Sequence, residues 1–179
     1  MANDVIGWRF GVRSTVALEI IRTEPVVLDW SLNLERTETI LARDYWLERR
    51  RELGRMPLRA DLSPAGMRSF VSHVGLIEVQ DGEPQADYVS RLAGTKWEEV
   101  FGPMKGKRVQ EFLPPLIEER WRTVFNPVRA RKEPVKATTQ IAFKDMRWLR
   151  TEMLVALLAD AGGGVAMLLI CFASWSSSR

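Results

Sequence analysis

The chain holds one histidine, His73, and one cysteine, Cys171, among 179 residues. A Ser-His-Asp or Cys-His device would have to use His73, and one residue of each type cannot supply a His-rich or multi-cysteine metal centre. His73 stands beside an apolar strand entrance, where structural duty outweighs haem ligation. Cys171 lies inside an apolar strand, where a thiol acts as a small hydrophobe. Residues 102–108, GPMKGKR, suggest a phosphate loop, but the spacing is one residue short and the Ser or Thr magnesium ligand is missing. Gly162, Gly163 and Gly164 fail as a dinucleotide fingerprint, with Met167 where a small residue is needed and a strand where a helix is needed. The adjacent carboxylates Glu98-Glu99 and Glu118-Glu119 diverge on helices instead of converging on one substrate atom. No catalytic constellation emerges, and the chain is expected not to be an enzyme.

Two basic clusters could meet phosphates. One is Arg49, Arg50, Arg51 and Arg55; the other is Arg120, Arg122, Arg129, Arg131 and Lys132 around Trp121. Arginine beside an aromatic ring suits nucleic acid. Each cluster is interleaved with acids, among them Glu48, Glu52, Glu118, Glu119 and Glu133, so a solvated helical face is the favoured reading and nucleic-acid binding is not expected.

Composition sets the frame for these residues. The chain is 46% hydrophobic and 27% charged with 12 Gly and 9 Pro, which fits a globular protein and excludes disordered or collagen-like scaffolds. A formal charge of +3 is too mild to name a partner. The single cysteine suits reduced, cytoplasmic surroundings, and the N-terminus lacks the unbroken apolar run of a secretory signal. One stretch, residues 153–173, is apolar enough to weigh as a membrane span. Its aliphatic residues favour insertion by roughly 3–5 kcal/mol and Asp160 costs roughly 2.5–3.5 kcal/mol. Residues 159–164, ADAGGG, are turn chemistry, so two buried strands joined by a turn are expected, with a span as the minor alternative.

Along the chain, residues 1–32 read as an N-terminal extension with two β-branched stretches, 15–21 and 26–28, forming a hairpin or a loosely attached arm. Residues 33–71 read as a leading helix over 33–53, stopped by Gly54, then a polar connector and a short helix from Ser63-Pro64 to Val71. At 100° per residue, Leu34, Leu41, Ala42, Tyr45, Trp46 and Leu53 share one arc, with Ile40 and Leu47 on the other side. Residues 72–176 form the core: strands over 74–80 and 88–93 around an Asp81-Gly82 turn, short helical pieces, a helix over 116–131, and strands over 135–143, 147–158 and 165–175. The last is apolar almost throughout, as a central strand paired with the first of the five would be.

The local motifs carry a resemblance. Tyr45-Trp46 in the leading helix, the series Arg55, Pro57, Arg59, Asp61, Pro64, the strand end Arg91-Leu92-Ala93-Gly94-Thr95, and Gly102, Gly106 followed by Glu111-Phe112-Leu113 resemble a family of bacterial stand-alone PAS-like regulatory domains, over roughly residues 40–175. The resemblance implies an α+β fold, a five-stranded antiparallel sheet with helices over one face plus the N-terminal helix, and a role in signal transduction as a sensor or regulator. The Asn-Cys-Arg flavin-adduct motif of light-sensing relatives is absent, and no cofactor is identified. Within 179 residues there is no room for an output domain, so output is expected to pass through association with a regulatory protein partner.

The residues themselves leave several roles open. Arg59 and Asp61 either pin the connector or lie in solvent. Arg91 either faces solvent or points into the domain, and Gly94 supplies a tight exit from its strand. Tyr88, Trp97, Phe101, Phe112, Trp121 and Phe125 are spread over the covering helices and the sheet. They form either a filled aromatic core or the lining of a site for a small apolar ligand. A rival reading, a small α+β enzyme for an apolar ligand, would need a buried carboxylate at the cavity floor, with Asp160 and Glu152 as its candidates. Finally, Ile40 and Leu47, one heptad apart, offer a short seam for a homodimer, provided that the N-terminal residues Trp8, Val26 and Leu28 contribute; otherwise the N-terminal arm folds back over them.

Overall fold

A computed structural model of the chain describes residues 25–82, 85–141 and 149–176. The strand expected over 15–21, Trp8, and the strand ends at Phe143 and Arg147 lie outside the described residues. The elements run β1 (Val27–Asp29), α1 (Thr37–Leu53), β2 (Val74–Gln80), β3 (Asp87–Ala93), α2 (Thr95–Phe101), α3 (Val109–Phe112), α4 (Pro115–Arg131), β4 (Val135–Gln140), β5 (Leu149–Ala159) and β6 (Val165–Ser176). The strands form one antiparallel sheet in the order β1-β4-β5-β6-β2-β3. The first core strand does lie beside the last, with Val74 opposite Cys171.

The sheet has six strands where five were expected. The sixth, β1, is three residues long and pairs Leu28 with Ala137 at the β4 edge. Its Val27 is 57% exposed, so nothing in its own hydropathy pattern distinguishes an edge strand from a loose arm.

Residues 153–173 resolve as β5, a turn and β6, and no helix among the described residues is long and apolar enough to cross a membrane. Asp160 builds the turn: its Oδ1 accepts the N–H groups of Gly162 at 2.8 Å and Gly164 at 2.9 Å, and Gly163 takes φ +83. The period of two then divides β5 between two cores. Val155 and Leu157 face a cluster with α2–α4, while Leu154, Ala156 and Leu158 face a second cluster under α1 and the connector. Each of these buried valine and leucine side chains contributes about 1.5–3 kcal/mol.

The leading helix starts at Thr37, four residues later than its pattern suggested. Residues ahead of it are held by a carboxylate of the sheet: Glu152, 1% exposed, accepts the backbone N–H groups of Glu35 and Arg36 at 2.9 Å and the hydroxyl of Thr39. Drawing Thr39 inward rotates the buried stripe to Thr39, Ala42 and Trp46, and leaves Leu41 38% exposed. Trp46 fixes the depth of docking by donating its indole N–H to the Leu157 carbonyl at 2.8 Å. Gly54, at φ +63, ends the helix as its position predicts. The short helix expected from Ser63-Pro64 is instead a run of turns leading to a single 3₁₀ turn, Val71–His73.

Candidate functional site

Helices α2 and α4 meet over the sheet through side chains set four residues apart. Trp97 and Phe101 come from α2; Ile117, Trp121 and Phe125 form one row of α4, with Arg120 and Val124 in the next. Beneath them, Met153 of β5 and Ile170 and Phe172 of β6 make the floor, and Val26, just ahead of β1, closes one side. Trp97 can sit this low because it rests on Gly75, whose missing Cβ would lie 3.0 Å from the indole ring. Its N–H donates to the His73 carbonyl at 2.9 Å.

The rings pack mainly edge to face. Trp121 is the hub, with its centroid 5.6 Å from Trp97, 5.1 Å from Phe101, 6.0 Å from Phe112 and 5.6 Å from Phe125. These contacts fill most of the space and leave a cleft in which the centres of water-sized molecules can range over about 50 Å³. One water needs roughly 10–15 Å³ by that measure, so the cleft admits a few waters or a small molecule.

Of the six aromatic residues singled out from sequence, Trp97, Phe101, Trp121 and Phe125 line this cleft. Tyr88 lies behind Phe125, at 5.0 Å between centroids, with its hydroxyl donating to Asn126 Oδ1 at 2.6 Å and the Arg122 guanidinium over its ring. Burial raises the Tyr88 phenol pKa, and the charges of Arg129 and Arg122 offset only part of that. Phe112 touches the Trp121 ring without reaching the cleft.

Sequence reasoning missed the polar end of the cleft. Thr139 and Thr151 stand opposite each other on β4 and β5, and both line it together with Gln140 and Arg120. Arg120 donates to the Thr139 hydroxyl, and Thr151 donates to the Thr139 carbonyl at 3.2 Å. Burial lowers the Arg120 pKa, although a guanidinium stays charged throughout the neutral range. The four-residue spacing of Arg120 and Val124 beside Trp121 was a usable signal; the Thr139–Thr151 register was not.

Other sequence candidates take structural places. Glu152 points to the α1 side of the sheet, opposite the cleft, and Asp160 belongs to its turn, so neither is a carboxylate at a cavity floor. Burial alone would raise the Glu152 pKa. Hydrogen bonds from Thr39, Arg36 and Glu35, with Lys136 at 3.3 Å, outweigh it and hold the carboxyl below its ordinary value. His73 places Nδ1 2.9 Å from the Phe172 carbonyl, and burial raises the Cys171 thiol pKa on the α1 side. No group of three or more His, Cys, Asp or Glu among the described residues is placed to hold a metal. Around Gly106, Ser90 donates its N–H to the Lys107 carbonyl and its own carbonyl accepts the Gly106 N–H, so the phosphate-like loop is spent on bracing β3.

Asp61 pairs with Arg55 at 2.8 Å and accepts the Leu58 N–H at 2.7 Å, so the connector is pinned by Arg55 and Asp61 while Arg59 is exposed. Arg91 faces outward to Glu78, at 2.9 Å from its Nε. Gly94 has an ordinary negative φ of −70; glycine is required because a Cβ there would lie 2.3 Å from the Ser72 carbonyl oxygen. In the two basic clusters Arg49 pairs with Glu52, Arg122 with Glu118 and Arg131 with Glu133. On the outer side of α1, Leu47 is 40% exposed, whereas Ile40 is half-buried against the cluster beneath the helix.

A family model described as PAS domain matches residues 34–172. Among solved structures the chain is similar to an RNA-binding light-oxygen-voltage receptor, at 15% sequence identity and a TM-score of 0.40, over 67% of this chain and 35% of that one. The present chain therefore spans about a third of that receptor chain. No curated protein matches it.

Proposed function

Because the chain belongs to the PAS domain family, we propose that this sensory and regulatory module is non-enzymatic and acts by binding a small apolar ligand in the cleft under α2 and α4. The observation supporting this is the cleft itself, walled by Trp97, Phe101, Trp121 and Phe125 and floored by central strands of the sheet. A pocket built on β5 and β6 touches the same two strands that carry α1 on their other face. Occupancy can thus bias the seating of α1, and we propose that output passes through α1 to a regulatory protein partner or a second copy. In the homodimer reading, Leu47 supplies the exposed part of the seam and Ile40 its half-buried flank.

The test is identification of what co-purifies, by mass spectrometry of an organic extract and an absorbance spectrum, followed by thermal-shift screening of small apolar compounds. A binder at one hundred times its dissociation constant adds about 2.7 kcal/mol of stability. The proposal expects at least one such compound, with its effect reduced in Trp121→Ala. A broad screen in which none stabilises the wild type would overturn it.

A further inference from the structure

Resting on the reading of α1 as the output element, we propose that its outer face docks a second copy of this chain end for end, the two helices running antiparallel with Asp44 of each against Arg51 of the other. Thr39, Ala42 and Trp46 turn inward. At about 100° per residue the opposite side of the helix carries Leu41, Asp44, Leu47, Glu48 and Arg51, all exposed. This side is not smooth: Leu41, Leu47 and Arg51 border a hollow between α1 and the turns around Gly66, and Leu47 and Arg51 continue into another toward Gly54. Covering the two leucines removes apolar surface from water. The order of charge along the face selects the occupant. Asp44 and Arg51 are seven residues apart, within about 20° of each other around the helix, with Leu47 between them. A parallel copy would set Asp44 against Asp44 and Arg51 against Arg51. A copy turned end for end about an axis at Leu47 and Glu48 sets acid against base at both ends and brings the two Leu47 side chains together. The present partners of these charges do not compete strongly. Asp44 pairs with the adjacent Arg43 at 2.8 Å and Arg51 with Glu48 at 3.9 Å, both in exposed pairs that contribute little. A guanidinium has five donors, so Arg51 can keep Glu48 of its own helix and also take Asp44 of the second copy.

The experiment is analytical ultracentrifugation of the full chain at micromolar concentration, which leaves the cleft untouched. Wild type should be a dimer whose association weakens as salt is raised. Asp44→Arg and Arg51→Asp, each checked for folding by circular dichroism, should each weaken association by at least about tenfold, because like charges then face each other across the axis. An equimolar mixture of these two variants should restore a dimer, since every facing pair is again opposite in charge, and so should both changes made in one chain. A monomeric wild type would overturn the inference and leave the face to a different protein as regulatory partner. A dimer that neither charge reversal weakens would overturn the antiparallel register; if Ile40→Asp with Leu47→Asp breaks that dimer, the α1 seam itself stands. Two monomeric single variants that stay apart when mixed would overturn the register as well. A wild-type dimer indifferent to salt would do so even if a variant does not fold.

Discussion

Replacing Glu152 by Gln should destabilise the protein more than any other single polar change in the described structure. The carboxylate receives two backbone N–H groups, the Thr39 hydroxyl and the Lys136 ammonium at 3.3 Å, in a residue that is 1% exposed. Glutamine turns one acceptor into a donor that faces other donors, and it leaves the Lys136 charge buried beside a neutral group. Breaking a buried pair from one side costs about 3–5 kcal/mol. Lys136 retains the Asn33 carbonyl at 2.5 Å and the exposed Glu35 at 3.4 Å, which places the expected loss near the lower end, about 3 kcal/mol. For a domain of this size that is a melting temperature lower by roughly 6–12 °C. Urea unfolding of Glu152→Gln, Lys136→Met and the double variant, followed by circular dichroism, gives the coupling directly. The double variant should lose clearly less than the sum of the two singles.

The same site makes an acid signature. Because the folded Glu152 pKa is lowered, its contribution is present above the ordinary glutamate value of about 4.3 and is lost as pH falls through the folded value below that. Wild type and Glu152→Gln should therefore converge in stability as the pH is lowered. A variant within about 0.5 kcal/mol of wild type at pH 7, where an ordinary surface change would lie, would refute the reasoning. Strict additivity in the cycle would refute the claimed coupling of Glu152 with Lys136.

Other outcomes are expected from the same structure. Gly94→Ala should cost at least about 2 kcal/mol, a severe effect for one methyl, because the new Cβ meets the Ser72 carbonyl oxygen at 2.3 Å; an unchanged urea midpoint would show that the segment ahead of β2 yields freely. Trp121→Ala should lose about 3–5 kcal/mol by removing the hub of the ring cluster, and indole added to the variant should raise its melting temperature more than that of wild type. Cys171 should react with a thiol reagent only at the rate of unfolding, since it is buried with a raised pKa; rapid labelling of the native protein would contradict its placement. Ile40→Asp with Leu47→Asp should convert a dimer to a folded monomer by light scattering, and a wild type already monomeric at micromolar concentration would reject the α1 seam.

Much of the fold was legible because it follows from alternation and punctuation. The apolar run of β6 placed it centrally, and Asp160 with the glycines after it announced a turn rather than a span. What escaped was decided by contacts distant in sequence. Thr39 is polar, so no count of apolar residues places it inward; only Glu152, 113 residues away, does so. The same carboxylate delays the start of α1, and the pairing with β4 alone makes residues 27–29 a strand. At the cleft, helical spacing brought four aromatic residues together, but the polar end depends on the β4–β5 register, which no local pattern encodes. Tyr88 was grouped with the lining while the facing of its strand was still open; it packs on the Phe125 ring and does not line the cleft.

Occupation of the cleft under α2 and α4 by a small apolar molecule is tested most directly by methyl-resolved NMR of the protein titrated with the tightest compound from the stability screen. Shifts should concentrate on Ile117, Val124, Met153 and Ile170, which line the cleft, with smaller changes at Leu154 and Leu169 on the α1 side of the same strands. Shifts confined to Leu41, Leu47 and the outer surface of α1, with the four cleft residues unmoved, would contradict binding in the cleft.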